Sequence, residues 1–143
     1  MNKTVEYFKT QIGKELQKSP SPAGMWLKPV LLKVEEGSIR AEFKVRPEMT
    51  NPMGTLHGGM ISLIADEMIG ATIATLELPV FFPSVNLYTD FLFSAKLNET
   101  IISETEIVRK GKQIINTECR FYDTQNRLIA KSQSNNIKLS NEK

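Results

Sequence analysis

The stretch from Asn51 to Ala74, NPMGTLHGGMISLIADEMIGATIA, constrains this chain more than any other. It opens on turn-forming residues, passes the only histidine, His57, and the pair Gly58–Gly59, and then becomes apolar. From Met60 to Ala74 the only charged residues are Asp66 and Glu67. A helix that is hydrophobic on nearly every side has to be buried. A carboxylate within it costs free energy unless paired, hydrogen-bonded or protonated. The stretch therefore predicts a buried helix over residues 59–76, an acid inside it and a glycine turn at its positive end.

Such a helix needs a layer to enclose it, and the flanking sequence supplies strands. Val5, Phe8, Ile12 and Leu16 recur at helical spacing and predict an amphipathic helix over 3–18. Ser19-Pro20-Ser21-Pro22 reads as the loop that stops it. Met25 and Trp26 follow, placed either to cap the core or to line a ligand mouth. Leu27–Val34 and Ile39–Val45 read as strands; in the second, Ile39, Ala41, Phe43 and Val45 alternate with charged residues, giving one buried and one wet face. Ser84–Phe93 reads as a strand with Val85, Leu87, Thr89 and Phe91 on one face. Thr100–Val108, Gln113–Tyr122 and Leu128–Leu139 complete the set, joined at Arg109–Lys112 and Asp123–Asn126. Without repeats or linkers, residues 1–143 form one domain, with 1–22 as an N-terminal helix and loop and 140–143 as a frayed tail. Helices segregated against an antiparallel sheet make the fold α+β. The apolar helix requires that sheet to curl around it.

Composition narrows the function. A net charge of +2, with Lys and Arg scattered, leaves no electrostatic footprint for nucleic acid. No apolar run is long enough to span a bilayer, and the N-terminus lacks the apolar core of a signal peptide. One cysteine, Cys119, excludes an intrachain disulfide and suits the reducing cytoplasm. One histidine and one cysteine argue against a zinc site.

The chemistry concentrates at the helix start. Backbone N–H groups there are unpaired and lie at the positive end of the helix dipole. Glycine lets a ligand oxygen approach them, so this end suits a carbonyl that becomes an oxyanion during acyl transfer. Asp66 follows Gly59 by seven residues, which returns it to nearly the same helix face. Along the axis the two are about 10 Å apart, so one chain does not place Asp66 against a carbonyl held at its own helix start. Two antiparallel helices related by a twofold axis do. The expected site is composite, with glycine donors from one subunit and Asp66 from the other. Glu67, one step round the helix, is expected at a polar subunit interface or in solvent.

Asn51-x-x-Gly54-x-x-His57-Gly58-Gly59, with Asp66 nine residues after the histidine, resembles the hotdog-fold acyl-CoA thioesterases. It is most similar to the phenylacetate-degradation type and the thioesterase superfamily member 2 group. The resemblance covers roughly residues 25–139. It implies a sheet wrapped on a long central helix, and homodimers that often pair into homotetramers. It implies Asp66 as the catalytic carboxylate, either nucleophile or general base, and Gly58 as the oxyanion donor with Gly59 beside it. His57 and Asn51 would polarise and position thioester and water, and Ser84 would orient that water. Coenzyme A enters as part of the substrate, with no separate cofactor. Arg109, Lys110 and Lys112 put three cations on one hairpin, available to its phosphates or simply solvated. The rival readings are a non-catalytic acyl-CoA-binding or regulatory hotdog protein and, more weakly, a hydratase or dehydratase on the same fold.

Overall fold

The computed structural model describes residues 1–140; the rest of the expected tail lies outside them. Six strands form one antiparallel sheet in the order β1-β2-β4-β5-β6-β3. They are β1 (Val30–Glu35), β2 (Ser38–Lys44), β3 (Ser84–Phe91), β4 (Thr100–Lys110), β5 (Ile114–Asp123) and β6 (Leu128–Ile137). The long helix α3, Gly58–Ala74, packs against β2 through β6.

The packing of α3 has a direction that its composition hides. Ile61, Ile64, Ala65, Met68, Ile69 and Thr72 recur every three or four residues, and all are buried against the sheet. Gly59, Asp66, Gly70 and Ala74 are exposed on the other side. The expectation of a fully buried helix with a buried acid is thus corrected for the single chain. A sheet wraps a helix from one side only, and Asp66 lies on the side left open.

The sheet's inner surface changes character across its width. On β2 it is Ile39, Ala41 and Phe43, all buried; on β6 it is Ala130, Ser132, Ser134 and Asn136, also buried. Thr105, Cys119, Ser132 and Thr89 stand in register on β4, β5, β6 and β3. The Thr105 hydroxyl donates to Cys119 Sγ at 3.3 Å, and the Thr89 and Ser132 hydroxyls are 2.9 Å apart. Ser62 of α3 joins the row, its hydroxyl 3.4 Å from that of Thr89. The helix therefore meets β2 through hydrocarbon and β3 partly through hydroxyls.

The two edges of the sheet differ. Beside β1, Gly13 N–H donates to the Leu31 carbonyl (3.0 Å) and Leu16 N–H to that of Pro29 (2.9 Å). Beyond β3, no further strand pairs among the described residues. This edge carries exposed Val85, Tyr88 and Phe91, so two residues of the expected apolar face, Val85 and Phe91, lie in the open.

Two N-terminal expectations are also corrected. Helix α1 is Lys3–Thr10 and does not reach residue 18. Gly13 takes a left-handed φ of +87°, and residues 13–16 leave the helix to bond with β1 and Pro29 instead. Ile12, expected on the apolar face, is exposed. Within the expected loop and strand, Pro22–Leu27 forms a short helix, α2. Ser21 caps it by accepting from Gly24 N–H at 3.2 Å, and Pro22 occupies the first turn, where its missing N–H costs nothing. Leu27 is therefore helical. Trp26 is exposed, with the Arg46 guanidinium 4.6 Å above its ring.

Burial raises the Cys119 thiol from its ordinary 9.0 to about 12, against a smaller opposing effect of the Thr105 hydroxyl. The unfolded chain loses this proton near pH 9 while the folded chain keeps it, so stability falls as pH rises from 9.0 towards about 12. A thiol reagent at pH 8 should label Cys119 only after denaturant unfolds the chain; fast labelling of the folded protein would contradict this burial.

Candidate active site

Two clusters sit at different levels of α3. The first is the helix entry. His57 is the N-cap of α3, and its Nδ1 accepts from Gly59 N–H at 2.8 Å. A nitrogen that accepts carries no proton, so in the neutral ring the proton is on Nε2, which becomes a donor. His57 N–H donates to the Met49 carbonyl at 2.9 Å and fixes the cap to the preceding loop. Gly59, expected to bind substrate, thus spends its N–H on the cap. The Gly58 N–H has no acceptor among the described residues. A side chain at position 58 would have its Cβ 3.1 Å from the Phe91 ring, so glycine allows that close approach.

Asn51 organises the loop that leads to His57. Its Oδ1 accepts from Met53 N–H (3.0 Å) and Thr55 N–H (3.1 Å), and its Nδ2 donates to the Thr55 hydroxyl (2.9 Å). Gly54 completes the turn at a left-handed φ of +76°. Within one chain the Asn51 amide is engaged by its own loop, as an Asx turn.

The second cluster surrounds Asp66. Ser84, the first residue of β3, donates its hydroxyl to Asp66 Oδ1 at 3.3 Å. Asn136 of β6, 2% exposed, donates from Nδ2 to Ser84 Oγ (3.0 Å) and to the Phe82 carbonyl (3.1 Å). Its Oδ1 faces the hydroxyls of Thr117 (3.4 Å) and Ser134 (3.2 Å). Because an amide NH2 only donates, Ser84 must accept from Asn136, and its own proton is directed at Asp66. Asn136 is the site residue that sequence reading missed. Its segment, KSQSNNIKL, reads as a strand, and only the register that sets Ser84 opposite Asn136 reveals the contact.

Glu67 departs from expectation. It is half-buried, and its Oε1 accepts from the Ser21 hydroxyl at 2.9 Å, tying α3 to the cap of α2. It therefore ties two elements of the fold together, whereas Asp66 is exposed and bonded to Ser84. The hairpin of Arg109, Lys110 and Lys112 is not brought against Asp66. Lys110, Ile115, Asn136 and Ser84 share one cross-strand row, so the hairpin lies at the Ser84 end of the sheet. It is three strand spacings away, roughly 14 Å.

A family model described as "Thioesterase superfamily" matches residues 53–130, more than half the chain. The chain belongs to the thioesterase superfamily. Acyl-coenzyme A thioesterase 13 of Homo sapiens is 30% identical over 84 residues, which cover 59% of this chain and 60% of that protein. The match thus spans less than two thirds of the relative's own length. Thioesterase superfamily member 2 from Mus musculus superposes with a TM-score of 0.76 at 23% identity, covering 96% of each chain. The E. coli PaaI protein of the phenylacetic acid degradation operon gives 0.77 at 16% identity, covering 85% of this chain and 86% of that one. These likenesses establish the hotdog fold. The segment matched to the superfamily contains His57, Gly58, Asp66 and Ser84, and leaves out Asn51 and Asn136.

If Asn136 acts on Ser84 through one shared hydrogen bond, their truncations should not add. Asn136→Ala and Ser84→Ala, alone and combined, should show a coupling of about 0.5–3 kcal/mol in urea unfolding. Strict additivity would mean that the two side chains act independently.

Proposed function

We propose that this chain hydrolyses acyl-CoA thioesters to the free acid and coenzyme A. One observation carries the reading: Asp66 is exposed, held by the Ser84 hydroxyl, and set in the wall of a large groove. The alignment to acyl-coenzyme A thioesterase 13 points to the same substrate class. Asp66 takes a proton from water as the water oxygen attacks the thioester carbonyl. The carbonyl electrons move onto oxygen, which becomes an oxyanion. When the oxyanion collapses, the C–S bond breaks, and the proton from Asp66 passes to the departing thiolate. Ser84 holds the carboxylate and the water in place.

The oxyanion needs donors that Asp66's own helix start does not offer, since the two are about 10 Å apart along the axis. In our reading, Gly58 N–H and His57 Nε2–H of a second copy supply them. The unpaired, apolar β3 edge supports that assembly, because an open edge of this kind is a template for pairing with another strand. Pairing β3 with β3 sets the helix start of one copy beside Asp66 of the other as homodimers, which can pair again into tetramers. Arg109, Lys110 and Lys112, at the Ser84 end of the sheet, are assigned to the coenzyme A phosphates. Coenzyme A enters only as substrate, and we place the reaction in the reducing cytoplasm that suits the unpaired Cys119.

Asp66→Asn should lower kcat for thiol release by at least about 100-fold without loss of fold, since the side chain is exposed. Acyl-CoA that binds with no turnover by the unaltered chain would instead favour a binding protein. The shared site has its own test. An Asp66→Asn chain and a His57→Ala chain, each inactive alone, are mixed and allowed to exchange. If the site is composite, each hybrid dimer holds one intact site, and activity should return to about a quarter of the unaltered level. A mixture that stays inactive, with exchange verified, would place both residues in one subunit's site.

A further inference from the structure

Beyond Asp66, the open face of α3 forms the floor of a groove of about 850 Å³. Gly70, Ala71 and Ala74 make this floor, Tyr7, Phe8 and Pro20 line one wall, and Phe81, Phe82 and Pro83 line the other up to Ser84. The first wall is tied down along its length. Asn2 Nδ2 donates to the Thr75 carbonyl at 2.6 Å, Thr4 N–H to Glu77 at 2.8 Å, and the Tyr7 hydroxyl to the Lys18 carbonyl at 2.8 Å. Ser21 is held by Glu67 beside Asp66. The groove therefore starts at the acid and runs along the helix towards its C-terminal end. Its floor is shaped by what is missing: a Cβ on Gly70 would meet nothing within 4 Å.

We propose that this groove holds the acyl chain of the substrate and selects acyl groups of medium length. The proposal rests on the assignment of Asp66 as the acid that acts on the thioester. From Asp66 to Ala74 the helix rises about 12 Å, the extended length of roughly ten carbons. The lining favours hydrocarbon over the pantetheine arm of coenzyme A. That arm carries amides that need partners when buried, whereas the polar groups near the acid are already engaged, Ser21 with Glu67 and Asn136 with Ser84 and the Phe82 carbonyl. Aromatic and aliphatic walls need only apolar surface in return, and each buried methylene strengthens binding by about fourfold. Lys3 and Lys18, both exposed, also lie among the lining residues.

Gly70→Leu fills the floor at an exposed helix position with open space above it. The substitution is tested in two backgrounds. In the full-length Asp66→Asn chain, which removes repulsion between two carboxylates, butyrate and decanoate binding is measured by calorimetry. Gly70→Leu should weaken decanoate at least tenfold and leave butyrate unchanged. In the otherwise unaltered chain, kcat/KM should fall at least tenfold for decanoyl-CoA and hold for butyryl-CoA. Light scattering checks that the assembly is the same. Phe81→Ser opens the opposite wall at an exposed side chain, and should also weaken decanoate selectively if Gly70→Leu fails to fold. An equal loss for both chain lengths would assign the groove to the coenzyme A arm and overturn the proposal. So would the absence of any chain-length preference in the unaltered groove. Decanoate binding that depends on Gly70, in a chain that hydrolyses no acyl-CoA, would sink the enzymatic reading and leave the groove assignment standing.

Discussion

The structure depends on the one-sided burial of α3. Its residues are apolar around nearly the whole circumference, yet a single curved sheet covers only the face of Ile61, Ile64, Met68, Ile69 and Thr72. The uncovered face cannot be made polar without losing its small and apolar residues, so something else must cover it. The short N-terminal helices cover part of it. The groove beside Gly70 and Ala74 is the part they leave. The site therefore lies where the fold runs out of its own material to bury, and a carboxylate at that boundary escapes the full cost of a charged core.

The two clusters on α3 show a division of labour set by helix geometry. A helix N-terminus offers directed N–H groups and positive potential but no proton acceptor. An acid offers the reverse, and on the same helix it must stand some distance along the axis. Here each cluster is fixed by bonds that also choose its protons. The His57–Gly59 bond leaves the imidazole proton on Nε2, and the Asn136–Ser84 bond turns the serine proton toward Asp66. Both use the fact that a group already accepting or donating on one side has only one role left on the other.

Local rules made much of this legible in the sequence. The alternation Ile39–Val45 gave β2 within a residue, and the apolar run with its glycine entry gave α3 nearly to its ends. The same rules failed where a tertiary partner outbid them. Leu16 has the spacing to continue α1, but its N–H goes to the Pro29 carbonyl, and Gly13 permits the turn that takes it there. Ser19-Pro20-Ser21-Pro22 reads as a breaker, yet serine before proline is also a helix start, and the Ser21 bond to Glu67 decides between them. Asp66 was recognisable as the odd polar residue on an apolar helix. Whether it was buried was not, because exposure depends on which face the sheet takes. Asn136 was invisible for a related reason: its importance comes from standing opposite Ser84, and register is a property of two strands.

The stretch matched to the superfamily ends on β6 and begins just before the helix entry. It takes in the groups assigned to the reaction, His57, Gly58, Asp66 and Ser84. It omits Tyr7, Phe8 and Pro20, which make one wall of the groove, and it reaches the wall at Phe81 and Phe82 only because that segment joins α3 to β3. Membership therefore speaks to the chemistry at the acid more than to the group attached to the carbonyl. The omitted wall is also the least constrained part of the fold. Helix α1 is eight residues long and is held by a few bonds to Thr75, Glu77 and Lys18 as well as by packing of Val5. A wall of that kind can change its side chains without disturbing the sheet or α3. In the proposed groove only the α1 wall can vary apart from the groups assigned to the reaction, because the floor at Gly70 and Ala74 lies on the same helix as Asp66.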